Sequence, residues 1–124
     1  MIRVRLTVDS GLLLYLEAEG HAREKAEKDA SICAAVSLLC RSSSEALKDL
    51  NDLEIDGSAP QPGVLRFYVR YGDEAPLDRA RGVFDTLIRG LEAVARDNPR
   101  LCRLEVSRGN LRREKDVQRE NCKE

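Results

Sequence analysis

The first twenty residues alternate between apolar and polar side chains in the way that is typical of β-strands. From Ile2 to Val8 the period is two, which predicts a strand with one buried face. Residues 9–11 are Asp-Ser-Gly and predict a turn. The apolar segment from Leu12 to Ala18 follows directly. Because so short a connection allows only a hairpin, this segment is predicted to pair antiparallel with the first strand.

Two longer segments repeat apolar residues every three or four positions, as the buried stripe of an amphipathic helix does. Asp29 is the predicted N-cap of the first helix. The second helix is predicted to begin with Pro76 in its first turn and to stop at Asn98 and Pro99. The first stripe consists of Ile32, Ala35, Val36, Leu39, Ser43, Ala46, Leu47 and Leu50, and the second of Leu77, Ala80, Phe84, Leu87, Ile88, Leu91, Val94 and Ala95.

Three further strands complete the predicted order ββαββαβ. They are Leu53 to Asp56, Val64 to Tyr71 and Cys102 to Val106, with a loop over residues 57–63. These elements predict an α+β two-layer sandwich, in which both helices pack on one face of a mostly antiparallel sheet. Leu12 to Leu16 is apolar at both parities, so we expect a second copy of the chain to cover the other face.

A single domain is predicted over residues 1–107. Residues 22–28 contain only charged side chains and alanines, so we interpret them as a mobile loop or a loosely held turn. Apolar periodicity ends before residues 108–124, which are predicted to form a solvated C-terminal tail or a frayed helix.

The composition restricts the class of function. Of 124 residues, 42% are hydrophobic, and the net charge of −1 provides no overall positive field for a polyanion. Aromatic residues make up 4% of the chain, too few for a base-stacking surface, so we expect no direct nucleic-acid binding. The longest apolar run is too short to cross a membrane, and the N-terminus does not resemble a secretory signal. A cytoplasmic protein without membrane association is therefore predicted.

The cysteines Cys33, Cys40, Cys102 and Cys122 lie at no spacing typical of a disulfide framework or of a C-x-x-C pair. In a reducing cytosol we expect them to be free thiols. Cys40 is predicted to be a packing residue, and Cys102 to face the core. Because the chain has one histidine, we predict no metal site and no other cofactor.

The residues best suited to chemistry are His21 and Cys33. His21 follows a glycine at the end of the second predicted strand, and Cys33 is the fourth helical residue if Asp29 is the N-cap. A thiol at that position lies near the positive end of the helix dipole, which favours the reactive thiolate. A nearby imidazole would favour the thiolate further and could pass a proton to a leaving amine. Ser37, one turn after Cys33, is placed to support the sulfur or a substrate.

Each of these residues also has a purely structural interpretation. A cysteine on the flank of an amphipathic helix is most often a small buried hydrophobe, and a single histidine after a strand is most often incidental. Spacing alone therefore leaves open whether His21 and Cys33 form a catalytic pair, because the two side chains must also meet in space.

The sequence around these two residues resembles a known family. Gly20-His21-Ala22 and the segment from Cys33 to Ser37 follow an apolar hairpin, and they are similar to the motifs that carry the catalytic histidine and cysteine of the ribosomal-processing cysteine proteases. The resemblance covers the order of elements up to residue 106. It implies a homodimeric cytoplasmic endopeptidase that removes a short N-terminal extension from a large-subunit ribosomal protein.

By that likeness His21 is the general base and acid, Cys33 is the nucleophile, and Ser37 is a supporting residue of the site. The aspartate of the family lies three residues before the cysteine, where this chain has Ala30, whereas Asp29 lies four residues before it. Either Asp29 still serves the site through a differently wound turn, or the acidic site residue is missing.

Two other functions compete with proteolysis. A ribosome-associated binding protein would keep the fold without cleaving anything, and the displaced aspartate is compatible with that function. A redox-sensing thiol protein would need a resolving cysteine. Cys40 lies two helical turns from Cys33, roughly 10 Å along the axis, and could not bridge to it without unwinding the helix.

Overall fold

The computed structural model describes residues 1–20, 27–59 and 63–109, with the backbone alone for residues 27–29. Within these residues, five strands and two helices follow the predicted order ββαββαβ, which confirms the α+β class. The strands are β1 (Ile2–Asp9), β2 (Leu12–Glu19), β3 (Leu53–Ser58), β4 (Val64–Tyr71) and β5 (Cys102–Arg108), and the helices are α1 (Glu27–Lys48) and α2 (Leu77–Asp97).

The strands form one sheet in the order β3-β4-β2-β1-β5. Neighbouring strands are antiparallel except β1 and β5, which run parallel, so the sheet is mostly antiparallel as predicted. Both helices pack on one face of the sheet, and the core lies between the two layers. The largest fully buried side chains include Phe67, Leu6, Leu13, Leu16, Leu47, Leu87 and Leu91.

The two helices approach one another closely at Gly90 of α2. A Cβ atom at this position would lie 2.8 Å from Cδ2 of Leu39, so the missing side chain makes room for a leucine of α1. Val36 and Leu47 of α1 are buried in the same core. These contacts hold α1 in place above the sheet and thereby position the flank that carries Cys33.

A β-bulge accounts for the long apolar run of β2. Thr7 pairs with Tyr15 but Val8 pairs with Leu13, which leaves one extra residue in β2. The extra residue reverses the alternation, so that Leu13 and Leu16, which have opposite parity, both belong to the core. The apolar run therefore does not require a partner surface, and the homodimer stays a prediction.

The opposite face of the sheet is charged. Glu17 at its centre lies 3.5 Å from Arg5 and 3.9 Å from Arg66, and the hydroxyl of Tyr15 donates a hydrogen bond of 3.2 Å to it. The rings of Tyr15 and Tyr68 are 4.6 Å apart beside this group. Acidic and basic side chains alternate on this face and pair with one another, so its net field is weak.

Several predicted boundaries are wrong. α1 begins at Glu27, so Asp29 is its third residue rather than its N-cap, and the helix takes up the end of the predicted loop. Pro76 is the N-cap of α2 rather than part of its first turn. β3 continues to Ser58 and β5 to Arg108, into segments predicted as loop and tail. Small and polar residues at the exposed ends of elements carry no apolar period, which is why these boundaries were misplaced.

The remainder of the predicted mobile loop, residues 22–26, lies outside the described residues, and so do residues 110–124 of the predicted tail. In the part of the chain that the structure does describe, neither helix is long and apolar enough to cross a membrane.

Candidate active site

A cavity of about 650 Å³ opens between the middle of α1, the end of β2 and the start of β4. Its volume lies within the range of small-molecule and peptide sites. Apolar residues form most of its wall, and two cysteines, a serine and two charged residues complete it. The described lining residues are Ile2, Ala18, Glu19, Gly20, Cys33, Val36, Ser37, Cys40, Arg41, Ala59, Gly63, Val64 and Leu65.

Gly20 closes the cavity at the end of β2. Its φ of +115° lies in the region that favours glycine. A Cβ atom here would overlap the carbonyl oxygen of Met1 and lie 3.0 Å from Cα of Ile2, so no side chain fits. The backbone N–H of Gly20 donates a hydrogen bond of 2.9 Å to the carbonyl oxygen of Gly63. These contacts fix the point from which the chain continues to His21.

α1 supplies the cysteines that line the cavity, and Cys33 is the more exposed of them. Cys33 is half-buried, packs against the edge of the core and lines the cavity. Ser37 follows one turn later and lines the same wall, as its spacing predicts. Because α1 begins at Glu27, Cys33 is its seventh residue rather than its fourth. The effect of the helix dipole falls off within the first turn, so the predicted contribution of the dipole to the Cys33 thiolate is wrong.

The two other described cysteines are packing residues, as predicted. Cys40 is 0% exposed and Cys102 is 2% exposed, and both belong to the core. Burial raises the pKa of Cys40 to about 12, with a smaller contribution from Cys102. Burial also raises the pKa of Cys102. Because the thiolate is the nucleophile, these two thiols are inert, and Cys33 is the reactive candidate among the described cysteines.

Of the four predicted site residues, the structure brings Cys33 and Ser37 together in the cavity. The backbone of Asp29 lies in the first turn of α1, four residues before Cys33. His21 lies outside the described residues, although Gly20, to which it is bonded, lines the cavity. The pairing of His21 with Cys33 stays a prediction.

Two charged residues that line the cavity were not among the predicted site residues. Glu19 is the last residue of β2, and Arg41 lies on α1. A signal for Arg41 was present, because it follows Ser37 by four positions and so lies on the same side of the helix. Glu19 gave no such signal, because its alternation along β2 assigns it to the charged face of the sheet.

The arrangement is suited to nucleophilic chemistry on a bound peptide. A half-buried thiol beside an apolar wall can attack a carbonyl carbon, and the wall limits the access of water to the bond under attack. Among the residues that the structure describes, no group of three or more His, Cys, Asp or Glu could hold a metal ion.

The chain is similar to a known sequence family and to several solved structures. The profile of the family described as cysteine protease Prp matches residues 1–103. No curated protein sequence matches the chain. The crystal structure of SMU.848 from Streptococcus mutans has a TM-score of 0.75 at 22% identity, over 88% of this chain and 96% of that chain.

Two further structures show an essential ribosomal processing protease, Prp, from S. aureus. The complex with a covalently linked product peptide has a TM-score of 0.71 at 21% identity, over 86% of this chain and 100% of that chain. The complex with a substrate peptide has a TM-score of 0.69 at 22% identity, with the same coverage of 86% and 100%. These likenesses show that the fold is shared.

Proposed function

The chain belongs to the Prp family of cysteine proteases, and on this premise we propose that it is an endopeptidase that removes a short N-terminal extension from a large-subunit ribosomal protein. The observation that carries the proposal is the half-buried thiol of Cys33 on the wall of a cavity of about 650 Å³. By the same likeness, the protein acts in the cytoplasm as a homodimer, with the extended ribosomal protein as its partner and without a cofactor.

A peptide is the ligand whose chemistry fits the cavity. The S. aureus protease that shares this fold has been solved with a substrate peptide and with a covalently linked product peptide. In the present chain, the apolar wall formed by Ile2, Val36 and Leu65 can receive apolar side chains of a substrate. The thiol of Cys33 then lies beside the backbone of the bound segment.

In the proposed reaction, Sγ of Cys33 attacks the carbonyl carbon of the scissile bond while His21 takes the thiol proton. His21 delivers that proton to the nitrogen of the leaving amine as the C–N bond breaks. The N-terminal extension remains as a thioester on Cys33. A water molecule, deprotonated by His21, attacks the thioester carbonyl, and the departing sulfur receives the proton from the imidazolium. One water is consumed, and both residues return to their starting states.

Ser37 and Asp29 are proposed as supporting residues. The hydroxyl of Ser37, one turn from Cys33, can donate a hydrogen bond to the sulfur or to the substrate. Asp29 and Cys33 occupy positions four residues apart in α1, which lie on one side of a helix. The early start of α1 at Glu27 thus favours the alternative in which Asp29 serves the site in place of the family aspartate.

Cleavage of ribosomal proteins tests the proposed function. Purified enzyme is incubated with large-subunit ribosomal proteins of its own organism, each carrying its encoded N-terminus. We expect one of them to be shortened by a single cut near its N-terminus, which intact-mass spectrometry identifies together with the cleaved bond. If the folded protein cuts none of them, or cuts at many scattered sites, the proposal is wrong.

A ribosome-binding protein without proteolytic activity is the competing function. It is favoured by one observation, namely that Cys33 lies too far along α1 for the helix dipole to activate its thiol. The reactivity of the thiol distinguishes the two functions. A catalytic cysteine paired with an imidazole holds a thiolate below neutral pH, whereas an ordinary half-buried thiol does not.

Alkylation by iodoacetamide measures this difference. At pH 6 we expect Cys33 to react about tenfold faster than glutathione, because an unperturbed thiol is almost fully protonated there. Cys40, with a pKa raised to about 12, is expected to react negligibly until the protein is unfolded. Peptide mapping assigns the label to each cysteine. A Cys33 rate that rises tenfold per pH unit from 6 to 8, as for an ordinary thiol, would favour the binding protein.

A further inference from the structure

Arg41 is an exposed residue of the cavity wall, on the same helix as Cys33 and Ser37. We propose that its guanidinium binds an acidic side chain of the substrate, three or four residues from the scissile bond, so that the enzyme prefers aspartate or glutamate at that position. The inference rests on the proposed function, because it takes Cys33 as the point of cleavage. It adds a substrate preference that thiol chemistry alone does not supply.

Charge in the described cavity lining is confined to two residues of opposite sign. Arg41 comes from α1, whereas Glu19 comes from the end of β2, and none of the remaining lining residues is acidic or basic. A carboxylate on a bound peptide is attracted by Arg41, whereas the side chain of Glu19 belongs by alternation along β2 to the opposite, charged face of the sheet. A preference for an acidic side chain is therefore expected at the Arg41 end of the cavity.

The guanidinium of Arg41 has no carboxylate partner among the described side chains. None of the ion pairs formed by side chains of residues 1–20, 30–59 and 63–109 includes it. By contrast, Arg66 and Arg89 pair with carboxylates of the protein itself. Arginine stays charged at all accessible pH values and presents its N–H donors in a planar fork that matches a carboxylate. A carboxylate supplied by the substrate is thus the partner that fits.

The spacing along α1 sets the position of the acidic residue. Arg41 follows Cys33 by eight residues, which corresponds to about 12 Å along the helix axis. Ser37 lies halfway between them, and the three residues follow one side of the helix at intervals of four. An extended peptide advances about 3.3 Å per residue, so a segment lying along α1 reaches Arg41 three or four residues from the scissile bond.

Matched peptides test the preference. Synthetic peptides that contain the cleaved bond carry Asp, Asn or Lys at one position at a time, up to five residues on either side of that bond. For the wild-type enzyme we expect one position, three or four residues away, at which the KM of the Asp peptide is about threefold to fivefold below that of the Asn peptide. Because the contact is equal in the bound substrate and in the transition state, kcat should not change.

Two substitutions of Arg41 and one control complete the test. Arg41→Gln is expected to bring the ratio of the two KM values to about one, and Arg41→Glu to reverse the preference in favour of Lys. Arg79→Gln removes an exposed arginine of α2 that does not line the cavity, and it should keep the wild-type ratio. Because Arg41 is exposed, all three variants are expected to fold, which circular dichroism verifies. High salt should weaken the wild-type preference.

The results separate this inference from the proposed function. Equal KM values at every position, or a preference that Arg41→Gln retains, would overturn the role of Arg41 and leave the protease intact. If the wild-type protein cleaves none of the peptides, the affinities of the peptides for the Cys33→Ser protein are measured to test the Arg41 contact by itself. An Asp preference lost on substitution of Arg41 would then support the contact and refute proteolysis, whereas equal affinities would refute both.

Discussion

Cys33→Ser is expected to lower kcat/KM for cleavage of the N-terminal extension by roughly three orders of magnitude or more. Serine nearly keeps the volume of cysteine but replaces a polarisable thiol with a hydroxyl that stays protonated at neutral pH. A pair of cysteine and histidine has no third residue to compensate for this loss. Initial rates on a peptide spanning the cleaved bond measure the effect, and fluorescence anisotropy should show that the peptide still binds.

Cys102→Ala is the matched control for the loss of a thiol. Cys102 is 2% exposed in β5 and does not line the cavity, so its removal should leave the cleavage rate per folded molecule unchanged. The Cys33→Ser protein should unfold at a temperature close to that of the parent, because the half-buried flank of α1 tolerates a hydroxyl. If this variant cleaves as fast as the parent, Cys33 is not the nucleophile, and the ribosome-binding function becomes the better interpretation.

Gly20→Ala is expected to lower the free energy of unfolding by about 2 kcal/mol or more. A side chain is strained at a φ of +115°, and its Cβ atom would overlap the carbonyl oxygen of Met1. Because the obstacle is backbone, it cannot rotate away as a side chain would. Either β1 or the end of β2 must shift, which weakens the hydrogen bond from Gly20 to Gly63. Urea unfolding followed by circular dichroism measures the change.

Gly82→Ala makes the same chemical change at a position that has neither a positive φ nor a backbone atom in the way of the new Cβ atom. Gly82 lies in α2, and a Cβ atom added to it would meet nothing within 4 Å. Alanine loses less backbone entropy than glycine in a helix, so stability should rise by roughly 0.5–1 kcal/mol. If the substitutions at Gly20 and Gly82 changed stability in the same direction and by the same amount, backbone strain at Gly20 would not be the cause.

Periodicity was sufficient to predict the elements of this fold because each of them buries one face. β4 matches its predicted bounds, and the other strands differ by a few residues at their ends. The bulge in β2 could not be predicted, because an apolar run at both parities fits either two buried faces or one extra residue. Only the pairing of β2 with Thr7 and Val8 distinguishes these possibilities, and that pairing is a contact between strands.

Part of the geometry of the candidate site was predictable from local spacing along the chain. Helical spacing alone places Cys33 and Ser37 on one side of α1, and the structure confirms this. The constraint on Gly20 arises from Met1, at the other end of the hairpin, so no local pattern reveals it. Arg41 has the right spacing as well, but whether a cavity opens beside it depends on where β2 ends and β4 begins.

The parallel pairing of β1 with β5 affects how the chain folds during its synthesis. Ile2 pairs with Cys102, a hundred residues later, and contacts of such long range form slowly. A ribosome adds roughly 5–20 residues per second, so one edge of β1 has no partner for several seconds of elongation. That strand carries Val4, Leu6 and Val8, and an apolar strand with an open edge is prone to aggregate. The nascent protein is therefore most prone to aggregate just before its last strand emerges. A chain truncated before Cys102 would keep this edge of β1 unpaired and would be expected to aggregate.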